Sequence, residues 1–191
     1  MIKRSIAALG LLVAALAMIG SAGGSPVPKY DKVTGDGQRA GFGSPATYTP
    51  SFTIDVKSGP SGENTQGTMT IDWGTSWVDA PFFGAPYSTT VNVTNLCVTG
   101  DTATIVGIIT SGTNASVGDP LVTMVRDGGR GGKSDGVRGV FSGWGYFSDP
   151  IFTGSPRTLD DVCHDPFPPQ SEGVGFGPLV SGNIKVTDAT P

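Results

Sequence analysis

"TTVNVTNLCVTGDTATIVGIITS" runs from Thr89 to Ser111 and is the longest β-rich run beyond the N-terminal leader. Two segments rich in Val, Ile and Thr flank Gly100-Asp101. A two-residue turn of that kind matches the twist of the strands it joins, so the stretch predicts a β-hairpin. With the turn fixed, Val98 faces Ala103 and Leu96 faces Ile105 on one side. Continuing the ladder brings Val93 opposite Ile108 on the other side. An extra residue reverses the facing of everything beyond it, so a β-bulge is expected near Thr94-Asn95 or Val106-Gly107. The alternative is a hairpin buried on both faces. In either case Cys97 is expected to share a face with Val93.

Outward from the hairpin, the chain divides into a leader and one domain. Lys3 and Arg4 precede an almost unbroken apolar run, Ile6 to Ile19, and Gly20-Ser21-Ala22 supplies small residues for cleavage. Residues 1–22 therefore read as a signal peptide. The run is short for a membrane span; a retained N-terminal anchor is the competing reading. No cysteine lies near the cleavage point to carry a lipid. Cleavage after Ala22 leaves about 169 residues, one domain's worth. It also takes the formal net charge from −4 to about −6. An acidic chain without a basic patch argues against nucleic acid or anionic membranes as partners.

The 30 glycines and 15 prolines approach the range of disordered chains. Regular apolar alternation argues for short strands joined by turns instead. Residues 23–50 read as a first strand, Lys29 to Thr34, ended by Gly35-Asp36-Gly37 and followed by an irregular connection. The β domain proper spans 51–191. Phe52, Ile54 and Val56 alternate with polar residues, as do Met69, Ile71 and Trp73, and the loop Ser58 to Asn64 makes these two strands antiparallel neighbours. Trp77-Val78 reads as a short strand and Pro81 to Pro86 as an aromatic loop. After the hairpin come a polar loop (Thr113 to Asp119), a strand (Leu121 to Arg126) and a glycine-rich loop (Asp127 to Asp135). Val137 to Tyr146 alternates again, with glycines suited to the bends of a closed sheet. Residues 149–178 form a proline-rich loop, and Asn183 to Thr187 is a last strand. About eight strands and no amphipathic helix predict an all-β fold, a single antiparallel barrel, with a sandwich as the alternative.

Two cysteines in an exported chain read as one disulfide, Cys97–Cys163. The chain-entropy model assigns a loop of that length roughly 4 kcal/mol. Zinc would need about four ligands, and the chain has a single histidine. No cofactor is expected.

Taken together, the motifs resemble a group of uncharacterised exported β domains of actinobacteria. The resemblance rests on five segments: Ser58 to Asn64; Val93 to Ala103; Val125 to Asp135; Asp160-Asp161-Val162-Cys163; and Ser181 to Ala189. It covers Val33 to the end of the chain, least well from Trp77 to Tyr87. It implies export, β architecture and the Cys97–Cys163 pairing, and no chemistry.

Candidate sites are few. His164 is the one residue able to serve as an imidazole base, but no Gly-x-Ser-x-Gly elbow accompanies it. Glu63, Asp72, Asp79 and Glu172 offer carboxylates without a spacing that pairs them. Asp127 and Asp135 bracket a glycine-rich loop that would present oxygen ligands to a hard cation, against which stand Arg130 and Lys133 in the same loop. A phosphate loop is excluded because a strand, not a helix, follows the glycines. Asn92-Val-Thr94 and Asn114-Ala-Ser116 match the glycosylation pattern and, in a chain of bacterial type, read as chance. Trp73, Trp77, Phe82, Phe83 and Trp144 are the aromatics available to contact a ligand.

Three functions follow as expectations. The first is an exported, non-catalytic module with a structural or adhesive role at the cell envelope, the cell wall being its candidate partner. The second is a barrel that binds a small apolar ligand. The third is an exported hydrolase acting through His164.

Overall fold

The computed structural model describes residues 28–39, 49–74, 87–129, 135–142, 158–165 and 177–189. Eight antiparallel strands close into a barrel in which each strand neighbours the next in sequence and the last returns to the first. They are β1 (Asp31–Arg39), β2 (Ser51–Ser58), β3 (Gln66–Gly74), β4 (Tyr87–Thr99), β5 (Thr102–Ser111), β6 (Pro120–Arg126), β7 (Gly136–Ser142) and β8 (Gly177–Thr187). A short helix, α1 (Leu159–His164), precedes β8. Closure removes the unpaired sheet edges that a sandwich retains, so the barrel is the architecture adopted.

The alternation in β2 and β3 sends Phe52, Ile54, Val56, Met69, Ile71 and Trp73 inward, and all six are buried in one core. Their polar partners, including Thr53, Asp55, Lys57, Thr68 and Thr70, face outward. This outer wall is the reverse of a lipid-facing barrel.

The opening hairpin carries the expected bulge. Val98 pairs with Ala103 and Leu96 with Ile105, and the register shifts between Val93 and Asn95, leaving Thr94 as the extra residue. Val93 accordingly pairs with Gly107 rather than Ile108. The expectation that Cys97 shares a face with Val93 is overturned. Val93 and Leu96 both lie in the barrel core, while Cys97 joins a second apolar cluster with Val106, Val122, Val162 and Cys163. The bulge is what separates them, because it returns Leu96 to the interior and sends Cys97 out. Gly107 serves the bulge from the opposite strand: a Cβ there would stand 2.4 Å from the Asn92 carbonyl oxygen.

Two further expectations are corrected. β1 does not end at Gly35 but continues to Arg39. Gly35 and Gly37 are positions of close approach, where a Cβ would lie 2.3 Å from the Asn183 oxygen and 2.4 Å from the Ser181 oxygen of β8. The proline-rich loop 149–178 is interrupted by α1, and its last two residues, with those up to Asn183, belong to a longer β8. The helix starts at a capping box: the Thr158 hydroxyl accepts from the Asp161 amide, and the Asp161 carboxylate accepts from the Thr158 amide. Its buried face, Val162 and Cys163, lies on the outer wall against Val106 and Val122, and the Cys97–Cys163 disulfide fixes it there. The signal peptide, Trp77-Val78, the aromatic loop and the end of the Val137–Tyr146 alternation lie outside the described residues.

Candidate functional site

At one end of the barrel, alternation along β1 points Val33 inward and, by way of Gly35 and Gly37, brings Arg39 into line with it. Arg39 is buried, with 6% of its surface exposed. It lies with Pro50, Phe52, Trp73, Thr123 and Val137 around a cavity of about 20 Å³. Burial of the guanidinium pulls its pKa down to about 10. A cavity of this size admits about one water molecule and no organic ligand. Trp73, one of the five candidate aromatics, is therefore a wall of the packed interior. Trp77, Phe82, Phe83 and Trp144 lie outside the described residues. Sequence reasoning missed Arg39 because the glycines before it were read as a strand end. The signal was the unbroken two-residue period Val33, Gly35, Gly37, Arg39.

The other end gathers carboxylates. Asp127 and Asp135, the weak metal candidates, are both in use as backbone acceptors. Asp135 is wholly buried. Its Oδ1 accepts from the Gly128 amide at 2.8 Å and its Oδ2 from the Ile184 amide at 2.6 Å. Asp127 accepts from Gly129 through Oδ1 at 2.7 Å and from Val186 through Oδ2 at 3.2 Å. Four carboxylate oxygens thus meet four backbone donors, which is how a buried carboxylate is stabilised without a cation. Among the described residues no group of three or more His, Cys, Asp or Glu side chains is arranged to hold a metal ion.

Asp31 is a buried carboxylate that the sequence reading passed over. Its Oδ1 accepts from the Ala189 amide at 2.7 Å. Burial raises its pKa above the ordinary value; the Ala189 hydrogen bond opposes the rise, and the nearby charges of Asp188 and Glu63 add to it. Asp188 in turn accepts from the Gly100 amide at 2.7 Å, tying the hairpin turn to the end of the chain.

Among the described residues, the hydrolase candidates Glu63, Asp72 and His164 lie apart on different elements. Glu63 is in the β2–β3 loop, where its carboxylate accepts from the Ser61 amide. Asp72 is on the outer wall near the far end of β3. Asp79 and Glu172 lie outside the described residues. His164 is exposed at the end of α1, and its Nε2 stands 3.9 Å from the Cys97 sulfur. A sulfur already in a disulfide is no nucleophile for that imidazole to activate.

No protein-family model, curated protein or solved structure matches this chain. Among the described residues no helix is long and apolar enough to cross a membrane.

Proposed function

We propose that the chain is an exported, non-catalytic barrel module with a structural or adhesive role at the cell envelope. The observation that carries this reading is the packing of the described interior. The space beside Arg39 has a volume of about 20 Å³, which favours recognition by the outer surface. That surface is a polar wall over β1 to β4, set with Thr34, Thr53, Thr68, Thr70 and Asn92, and it suits contact with hydrated polymer rather than lipid. The disulfide suits an oxidising compartment. The leader and the resemblance to exported actinobacterial domains point to the same destination.

The test is fractionation followed by pull-down. The secreted protein is expected to co-sediment with purified cell wall and to be displaced by soluble wall fragments. Recovery in the medium alone, with no affinity for wall or intact cells, would reject the proposal. The apolar-ligand reading has little room in the described interior. For the hydrolase reading, His164 stands beside a disulfide sulfur rather than a free nucleophile among the described residues.

A further inference from the structure

The two sulfurs of the disulfide sit in unlike surroundings. Cys97 is half-buried on the outer side of β4, and the Nε2 of the exposed His164 stands 3.9 Å from its sulfur. Cys163 has 1% of its surface exposed and packs with Val106, Val122 and Val162. Its sulfur lies 4.0 Å from the Thr104 carbonyl oxygen, where a thiol proton would find an acceptor. His164 is held in place by α1, which packs on β4, β5 and β6. The Asn95 amide adds a hydrogen bond to the Asp160 carboxylate at 3.5 Å. Contacts other than the sulfur bond therefore hold the imidazole beside Cys97.

We propose that in the dithiol form of the folded chain Cys97 and His164 are a thiol-activating pair, through which the barrel takes a disulfide from a small aliphatic disulfide and passes it to Cys163. The thiolate is the reactive form of cysteine, and an adjacent imidazole favours it by taking up the proton and pairing with the charge. An apolar pocket with a carbonyl acceptor keeps Cys163 a thiol. Cys97 thiolate attacks one sulfur of R–S–S–R, forms the mixed disulfide and expels RS⁻. Cys163 then gives up its proton, attacks the Cys97 sulfur, closes Cys97–Cys163 and expels the second RS⁻. Two protein thiols are oxidised, one external disulfide is reduced, and the two protons leave on two RSH. The asymmetry also runs the reaction one way, since reversal must expel a thiolate into the apolar pocket. Among the described residues, the charged groups on the elements around the pair are Asp160, Asp161 and Asp165 of α1, Arg126 of β6 and Asp101 of the hairpin turn. Asp161 is taken up by the Thr158 cap. Neither step depends on a role at the cell envelope.

The test uses the full chain, reduced in urea and refolded without oxidant. Near neutral pH, iodoacetamide is expected to label Cys97 about tenfold or more faster than Cys163, as read by mass spectrometry of the peptides. In Cys163→Ala, oxidised glutathione is expected to leave a mixed disulfide on Cys97. The rate of that reaction against pH should reach half its maximum below the ordinary thiol value of about 8.5. His164→Gln is expected to return the midpoint to about 8.5 and to slow the reaction near neutral pH about tenfold. The melting temperature of the oxidised protein should not move with His164→Gln, which separates activation of the thiol from a structural role. Should Cys163→Ala fail to fold, the reduced wild type with and without His164→Gln decides. Equal labelling of the two cysteines, a Cys97 profile like that of an ordinary thiol, or a rate indifferent to His164→Gln would overturn the proposal.

Discussion

Asp31 carries its charge at a cost. Its side chain is buried, its pKa is raised by that burial, and the hydrogen bond from Ala189 offsets only part of the rise. A carboxyl that holds its proton more tightly in the folded state stabilises the fold when protonated. That contribution is complete below the ordinary value of 3.8 and is lost as pH rises through the higher folded value. Asp31→Asn keeps an oxygen for the Ala189 amide and removes the charge. It is expected to raise the melting temperature at neutral pH by about a degree or two, with the difference closing as pH falls toward the ordinary carboxylate range. Thermal melts of both proteins across pH 3 to 7 check this (a range set by the ordinary carboxylate value), and a variant less stable than wild type at neutral pH would contradict it. Asp127 and Asp135 differ in kind, because each carboxylate accepts from two backbone amides, one on each oxygen, and an asparagine has one oxygen to offer.

At the scale of elements, the hairpin and its disulfide show what was legible in the sequence. The turn at Gly100-Asp101 and the change of face were both readable from the spacing of Val93, Leu96, Val98 and Ile105, because a strict period of two puts Val93 on the other face from Leu96. The facing of Cys97 was not, because it depends on which residue the bulge takes, and Thr94 and Gly107 were equal candidates. The helix was hidden for a different reason: six residues bury only Val162 and Cys163, too few to show a period. Its capping pair, Thr158 and Asp161, was the visible sign. Because the sulfur of Cys163 is buried among Val106, Val122 and Val162, attack on Cys97 would expel a thiolate into an apolar pocket. Direct attack on Cys163 is hindered because only 1% of its surface is exposed. Reduction is therefore expected to be slow in the native state and to accelerate with unfolding, as followed by thiol trapping in dithiothreitol with and without urea. Replacing both cysteines by alanine is expected to cost about 3–4 kcal/mol in urea denaturation. A cost near zero would mean that the apolar contacts hold α1 without the bond.

For the whole molecule, the strands specify a barrel because glycines sit where neighbouring backbones come closest. Substituting Gly107 by valine would drive a side chain into the Asn92 carbonyl and the backbone of Val93; the expected outcome is loss of the folded protein, seen as insoluble expression. The interior was legible in β2 and β3, where Phe52, Ile54, Val56, Met69, Ile71 and Trp73 are the inward residues that make the core. It was illegible at Arg39, where two glycines carry the period without showing it. That interior bears on whether the protein is a module that works through its surface or a carrier that works through a cavity. Trp73 closes one side of the small space beside Arg39, with 8% of its surface exposed. Its fluorescence is expected to be unmoved by a panel of fatty acids and apolar dyes added to the folded protein. Trp73→Ala should lower stability by about 3–5 kcal/mol and leave a void large enough for a small apolar molecule. Dye binding by the variant and not by the wild type is the result expected of a packed barrel. Saturable binding by the wild type, with a shift in tryptophan emission, would return the ligand-carrier reading to first place and move the search for function from the outer wall to the core.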